Sequence, residues 1–410
     1  MMQEYERALG ALLSYCRKES WAGYDPYDGL NSPIAGLLPD YKLPRTLFTQ
    51  LVKRSPVNIR PLLGIKKSLN SKGLALAARA IILLSDRFGR DLPDSVSSHD
   101  EYHVSSPDDI AGGLIEDFSF LIASLDSLRS SSVNEAAWGY NFDWQSRAFF
   151  APKGTPNAVC TVFAAQAYLD WYERTGSSRA FDVAKSSCRF LLDRLNRAED
   201  KVGLCFSYTP LDRSRVHNVN LLAAELLARV FSKSGDEEYR EASEKAVEYT
   251  IARQQAEGGW PYGEDASQGW IDSFHTGFML VSLKRIGEHL GSEKCRESLR
   301  RGYEFYATRF FLADSTPRYY HDSLYPIDVH SSAQAVITFV EMADLLPAAN
   351  EMSESSVNWA IKNMQDPSGF FYFQRHRLYT SRTPFMRWAQ AWMLYALSVY
   401  GCRSRVGNDG

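Results

Sequence analysis

What this chain lacks narrows it first. Its longest apolar runs, such as LALAARAIILL at 74–84, stop short of the ~20 residues that a bilayer-spanning helix requires. Net charge is −3 over 410 residues with no long basic run, so neither nucleic acid nor an anionic membrane is indicated as the main partner. The six cysteines (Cys16, Cys160, Cys188, Cys205, Cys295, Cys402) form no Cys-x-x-Cys pair. That fits reduced thiols better than a disulfide framework or a zinc knuckle. The opening MMQEYERALGALLSYCRKES has no basic stretch leading into an apolar core, so no secretory signal is read there and a cytoplasmic location is expected. Gly112-Gly113 and Gly258-Gly259 lack the rest of a phosphate-binding loop, and no Gly-x-Ser-x-Gly elbow is present.

Aromatic residues, by contrast, are abundant: 22 Tyr, 22 Phe and 9 Trp make 13% of the chain. They cluster with a period of about 52 to 68 residues, at Trp138-Gly139-Tyr140, Phe206-Ser207-Tyr208, Trp260-Pro261-Tyr262, Tyr319-Tyr320 and Phe371-Tyr372-Phe373. A polar loop follows each cluster, and then an Ala/Leu-rich segment that is apolar nearly all round, as a helix buried on two sides should be. Four of these five segments end in Gly, the residue that closes helices in a left-handed cap. A sixth, NSKGLALAARAIILLSDRFG, lies near the N-terminus. Between them run segments such as EEYREASEKAVEYTIARQQ, apolar at three- and four-residue spacing and so greasy on one face only. Alternating buried and half-buried helices, six of each, predict an all-α (α/α)₆ toroid in which an outer ring encloses an inner one. The first two outer helices are expected near 1–20 and 110–130. No Pro/Gly/Ser-rich linker divides the chain and no strand-period stretch could build a sheet, so residues 1–410 read as one toroid domain. Within it, residues 1–65 form an outer helix and a lid-like loop.

Two turns, Gln254-Gln-Ala-Glu-Gly258-Gly-Trp260 and Gln365-Asp-Pro-Ser-Gly369-Phe-Phe371, are similar to the QW motif of squalene-cyclase and prenyltransferase toroids. The wider chain resembles a six-hairpin glycosidase-like family found among polysaccharide biosynthesis proteins. The segments that carry this likeness are WAGYDPYDGLNSP, KRSPVNIRPLLGI, WGYNFDWQSRAFFAPKGTPN, FSYTPLD, WIDSFHTGF and YYHDSLYPIDVHSSAQ. The resemblance implies the fold and a carbohydrate substrate, but supplies no catalytic residues. Fold alone does not choose among the epimerases, lyases and hydrolases of that superfamily.

All the aromatic loops precede inner helices, so they gather at one mouth of the ring, where helix N-termini bring unpaired N–H groups and partial positive charge. His217, His275 and His330 lie at or near three successive inner-helix starts and suit proton transfer near neutrality. Asp272 and Asp328 precede His275 and His330 by three and two residues; an Asp there is more often an N-cap than a catalyst. Asp143 and Asp322 sit in aromatic loops, as does His321. Arg387 with Trp388, and Arg147, are placed to hold an anionic group, or else to pair with loop aspartates. Trp144, Trp260, Trp270 and Tyr325 offer faces for a pyranose, or pack between loop and rim. In the lid, Asp25 and Asp28 carry acid, and Arg60 is expected to pair with one of them.

The expected function is a carbohydrate-active protein of glycan biosynthesis: an epimerase, lyase or glycoside hydrolase, on a substrate that could contain uronic acid. His275, His330 and Asp328 are the first choices for acid–base work, with His217 and Asp272 beside them. No cofactor or metal is expected. The partner is a saccharide, with peripheral contact to a lipid-linked glycan open and the oligomeric state unread. The alternatives are a terpene cyclase and a non-catalytic glycan-binding or assembly protein. Cyclisation by protonation usually needs an Asp-x-Asp-Asp run, and Pro107-Asp108-Asp109 supplies only a pair.

Overall fold

The computed structural model describes residues 2–96, 110–346 and 348–406; Asp108 and Asp109 lie outside them. In chain order the helices are α1 (Met2–Lys18), α2 (Lys42–Arg54), α3 (Ser71–Arg87), α4 (Leu114–Ser127), α5 (Ala158–Thr175), α6 (Ser178–Arg194) and α7 (His217–Ser234). There follow α8 (Glu237–Ile251), α9 (Ser273–Leu290), α10 (Arg296–Arg309), α11 (Val329–Met342), α12 (Ala348–Met364) and α13 (Ala391–Val406). The odd-numbered helices from α3 to α13 pack each on the next, and α13 returns to α3, closing an inner ring of six. Around it α4 packs on α3, α6 on α5, α8 on α7, α10 on α9, α12 on α11 and α1 on α13. This is the predicted (α/α)₆ toroid, with the first two outer helices where the sequence puts them.

Burial follows the periodicity. Nearly all of α11 is buried, whereas α10 buries one face through Leu299, Gly302, Phe305 and Tyr306. Asn157 caps α5 by accepting from the Cys160 N–H at 2.8 Å, and Gly176, Gly235 and Gly291 end α5, α7 and α9 at φ 76°, 69° and 60°. Gly401 breaks the expected pattern. It lies inside α13, and a Cβ there would stand 2.0 Å from the Tyr5 hydroxyl and the Arg87 guanidinium, so this glycine admits neighbours and does not end a helix. The strands are short ladders in the loops: β1 (Trp144–Gln145) with β2 (Phe150–Ala151), β3 (Arg197–Glu199) with β4 (Leu204–Phe206), and β5 (Ile327–Asp328), β6 (Gln374–Arg375) and β7 (Thr380–Ser381) together.

The two QW-like turns are clips between neighbouring hairpins. Gln254 donates to the Gly258 and Ser298 carbonyls (2.8 and 3.0 Å), and Gln365 to those of Gly369 and Ala8 (3.0 and 2.9 Å). Gly258 and Gly369 take φ of 100° and 99°, and a Cβ on either would strike a backbone carbonyl of the next outer helix at 2.3 Å. The second clip ties the C-terminal hairpin to α1 and helps close the ring.

The end away from the aromatic loops is plugged by charge. Asp170 of α5 accepts from Arg79 of α3 and Arg229 of α7, both at 2.6 Å. Glu225 of α7 takes Arg285 of α9 at 3.1 Å and the Ser282 hydroxyl at 2.6 Å, and Arg285 also reaches Glu341 of α11. The ring therefore opens at one mouth.

The lid differs from a simple loop. Residues 42–54 form α2, whose Thr49 and Val52 pack inward while Thr46, Gln50 and Lys53 face the mouth. Asp28 pairs with Arg60 at 2.7 Å, and burial, opposed by Arg60, raises the Asp28 carboxyl to about 6. Asp25 pairs with Arg387 instead.

Candidate functional site

Each inner helix delivers its second residue to the mouth. Counted from the N-caps Asn70, Asn157, Val216, Asp272, Asp328 and Phe385, these are Lys72, Val159, Asn218, Phe274, His330 and Arg387. The last lies in a π-helical turn, Met386–Gln390, that opens α13. All six line one cavity of ≈ 590 Å³. Its upper wall is aromatic (Tyr140, Trp144, Tyr208, Tyr262, Trp270, Tyr320) and Tyr27 of the lid covers one side. The wall carries Lys42, Lys53, Arg54, Lys72, Arg147 and Arg387 together with His275 and His330, but no carboxylate among the described residues.

His275 is the partly exposed imidazole. Its Nδ1 lies 2.7 Å from Asp272 Oδ2, while Asp272 Oδ1 accepts the His275 backbone N–H at 3.0 Å. Asp272 is thus both N-cap and partner: it holds the proton on Nδ1 and leaves Nε2 as an acceptor. The same carboxylate accepts from Trp270 Nε1 at 2.9 Å, so one buried aspartate orients two cavity residues. His330 stacks on Phe274 (centroids 4.4 Å, interplanar 14°) and lies against Trp388 and Trp392. Neither of its ring nitrogens has a hydrogen-bond partner among the described residues. Burial first, then repulsion from Lys72, His275 and Arg387, pulls its pKa well below the ordinary histidine value, so it is neutral at pH 7.

Lys72 went unnoticed in the sequence. Its Nζ makes no hydrogen bond to a described residue and sits among the rings of Phe163 (4.3 Å), Trp392 (5.1 Å) and Phe278 (5.3 Å). Burial, with Arg387 nearby, lowers it to about 7. An amine poised there can give or take a proton at neutral pH. Tyr140 and Tyr208 share a hydroxyl–hydroxyl bond of 2.8 Å, and burial raises both above the ordinary phenol, which keeps them neutral donors.

The remaining expected residues divide. Trp388 lines the cavity, with Nε1 on Asp328 (3.0 Å). Trp144, Trp270 and Arg147 also line it; the Arg147 guanidinium covers the Trp270 ring at 4.3 Å, and Trp270 stacks on Tyr262 at 4.5 Å. Arg387 reaches the cavity but spends its fork on Asp25, with Nη2 2.8 Å from Oδ1. Asp328 is fully buried behind Trp388. It caps α11 and accepts from Gln374 at 2.6 Å, and burial raises it to about 6. With those donors satisfying it and no surface on the cavity, it positions Trp388 and His330 and cannot meet substrate.

His217 is buried outside the cavity lining, its ring nitrogens have no hydrogen-bond partner among the described residues, and burial pushes it down to about 4. Trp260 is buried against Gly302, its Nε1 donating to the Thr250 carbonyl at 3.0 Å, so no sugar can stack on it. Asp143 accepts the Lys153 N–H at 2.7 Å and braces its loop. His321 packs near Phe305 with Nδ1 3.3 Å from the Ile271 carbonyl, and Asp322 is exposed away from the cavity lining. Tyr325 lines a separate outer hollow of ≈ 720 Å³ beside α12. No three His, Cys, Asp or Glu side chains among the described residues lie close enough to hold a metal ion, and no helix there is long and apolar enough to cross a membrane.

Comparison with known proteins finds the same fold in solved structures. Residues 217–264 match a family model described as pectic acid lyase. No curated protein matches the chain. Among solved structures, the cellobiose 2-epimerase of Bacillus thermoamylovorans is similar at TM-score 0.64 and 10% identity, over 83% of this chain and 90% of that one. The unsaturated glucuronyl hydrolase of Bacillus sp. GL1 gives TM-score 0.58 and 14% identity, over 97% and 96%. A family 76 α-mannanase of Bacteroides thetaiotaomicron gives 0.57 and 13%, over 83% and 87%. The chain shares the (α/α)₆ toroid fold of these structures.

Proposed function

We propose that the whole chain works as one sugar-processing toroid that removes a proton from a uronate-containing saccharide, with β-elimination as the outcome. The observation that carries this reading is the charge of the cavity wall: six Lys or Arg side chains and two imidazoles with no carboxylate among the described residues. Six helix N-termini add positive potential at the same end. A hydrolase of the two-carboxylate kind needs acids ~6.5–9.5 Å or ~5 Å apart on the wall, and a cyclase needs a strong acid there; this wall presents neither. Abstraction of a proton beside a carboxylate needs what it does present: cations to neutralise the uronate, a base and an acid.

In the proposed step Arg147 and Lys53 hold the uronate, whose neutralised carboxylate spreads the charge that develops at carbon 5. His275 Nε2 takes the carbon-5 proton. The electron pair forms the carbon 4–carbon 5 double bond, the carbon 4–oxygen bond breaks, and the leaving oxygen receives a proton from Lys72. In the ring order α3 and α9 are opposite members, so Lys72 and His275 approach the sugar from facing walls. His330, neutral and without a hydrogen-bond partner among the described residues, offers a ring nitrogen to a hydroxyl. The pectic acid lyase likeness of residues 217–264 supports elimination. The presence of two imidazoles on one cavity favours a second reading, epimerisation at the same carbon, in which a proton returns from the other face. A cytoplasmic location and a role in making a lipid-linked polysaccharide belong to this proposal too.

Incubation with uronic-acid oligosaccharides in heavy water tests it. Ultraviolet absorbance from a new double bond supports elimination, and carbon-bound deuterium without it supports epimerisation. New reducing ends with neither signal would show hydrolysis and overturn the reading.

A further inference from the structure

The lid carries an outward face that the cavity chemistry does not use. Of the fifteen large apolar side chains that stand exposed among the described residues, eight lie within residues 34–62. Leu43, Leu47 and Leu51 recur every four residues along α2 and form one stripe, each at least 60% exposed. Leu37 and Leu62 flank it at 85%. Leu378, at the tip of the β6–β7 hairpin, is 92% exposed, and the neighbouring Tyr379 hydroxyl donates to the Arg54 carbonyl at 3.3 Å, which brings the hairpin tip beside the end of α2. Isolated exposed leucines need no explanation; a concentration of this kind on one lid does.

The charge around the stripe says what covers it. Residues 33–67 hold seven Lys or Arg and a single acid, Asp40, in a chain of net charge −3. Arg60 is spent on buried Asp28, Arg45 on Asp40 and Lys67 on Glu19. Lys66 is exposed, and Lys42 and Arg54 are exposed at the rim where α2 meets the cavity, Lys42 donating to the Arg147 carbonyl; none of the three meets a carboxylate among the described residues. A leucine stripe with basic flanks on a short surface helix is the composition that lies in the headgroup layer of an anionic bilayer, with leucines in the acyl boundary and Lys/Arg at the phosphates. A second copy of this chain would have to bring acid to the same place, and the patch itself has one carboxylate.

We propose that the outer face of α2 and its flanking turns docks on an anionic lipid surface. The roof of the cavity then meets saccharides carried at that surface; this last clause rests on the function proposed above, the docking does not.

Sedimentation of the full chain with vesicles tests the docking without any sugar. Phosphatidylcholine vesicles containing phosphatidylglycerol are expected to pellet it, and vesicles of phosphatidylcholine alone to pellet little. High salt should weaken the binding. The triple variant Leu43→Ser, Leu47→Ser, Leu51→Ser should bind about tenfold more weakly or worse, from the apolar surface it removes. Its thermal midpoint should match the parent's, since these side chains are already in water. Failure of the parent to pellet with phosphatidylglycerol vesicles overturns the proposal, as does equal binding by a folded triple variant. If light scattering finds a dimer that the triple variant splits, and vesicles capture neither protein, the stripe joins copies of the chain and the proposal is equally overturned.

Discussion

Lys72 offers the sharpest test of the site, because a functional amine and a structural one give opposite signs. Its burial lowers it from 10.5 to about 7, so between those values the unfolded chain holds a proton there that the folded protein has released. Stability therefore rises with pH across that window and is lost as pH falls through about 7. At ~1.4 kcal/mol per pH unit, the interval bounds the cost of burying the ammonium at about 5 kcal/mol. Water reaching the amine through the cavity reduces the expected figure to about 2 kcal/mol. Lys72→Met keeps the length of the side chain and its contact with Phe163, Phe278 and Trp392 while removing the charge. The variant should be more stable than the parent by about 2 kcal/mol in urea at pH 6, with the difference falling toward zero above pH 10. It should also lose the turnover limb near pH 7. Urea melts of both proteins at several pH values follow this residue chiefly, since titrations not coupled to it cancel in the difference. His330, which is coupled, is neutral in the folded protein at pH 7 and above. A variant that is less stable at pH 6, or a difference that does not change between pH 7 and 10, refutes the reasoning.

Other side chains divide by the same logic. His275→Gln should reduce kcat by about 10²–10⁴ with the thermal midpoint kept. Asp272→Asn, which retains the cap, should lower kcat less and move the pH profile, the sign of a positioning residue. Trp260→Ala should cost about 3–5 kcal/mol in urea and leave KM alone, whereas Trp270→Ala should raise KM about tenfold with little loss of stability. Arg285→Met strands Glu225 and Glu341 in the plug and should cost about 3 kcal/mol, with kcat of the remaining folded enzyme unchanged.

The ring was legible because it is written in periodicity. A helix packed on two sides must be apolar all round and one packed on one side must be striped, and the alternation of α5 with α6 or α9 with α10 obeys that rule. The lid was less legible. Residues 42–54 show their leucines to solvent, so their stripe has no counterpart in the core, and Pro44 near the start reads as a loop signal although the first helical turn tolerates it. Gly401 misled for a related reason: glycine marks both helix ends and close approaches, and only the neighbours Tyr5 and Arg87, hundreds of residues away in sequence, decide which.

The site was half legible, and helix geometry says which half. Successive residues turn by about 100°, so of the first three positions in an inner helix only one can point along the axis of the ring. That position is the second after the cap in all six helices, and it selects Lys72 and His330 as surely as it excludes His217, which stands at the first. Reading histidines near helix starts, without counting from the cap, gathered a buried imidazole and passed over the lysine. His275, at the third position, still reaches the cavity because Asp272 grips its Nδ1 and turns the ring inward. The aspartates before these helices then have a coherent use. As caps they are too buried to touch a sugar, yet each reaches from the backbone to a cavity side chain, Asp272 to His275 and Trp270, Asp328 to Trp388. The wall is thereby left to cations and imidazoles, which is the condition an anionic sugar would require of it.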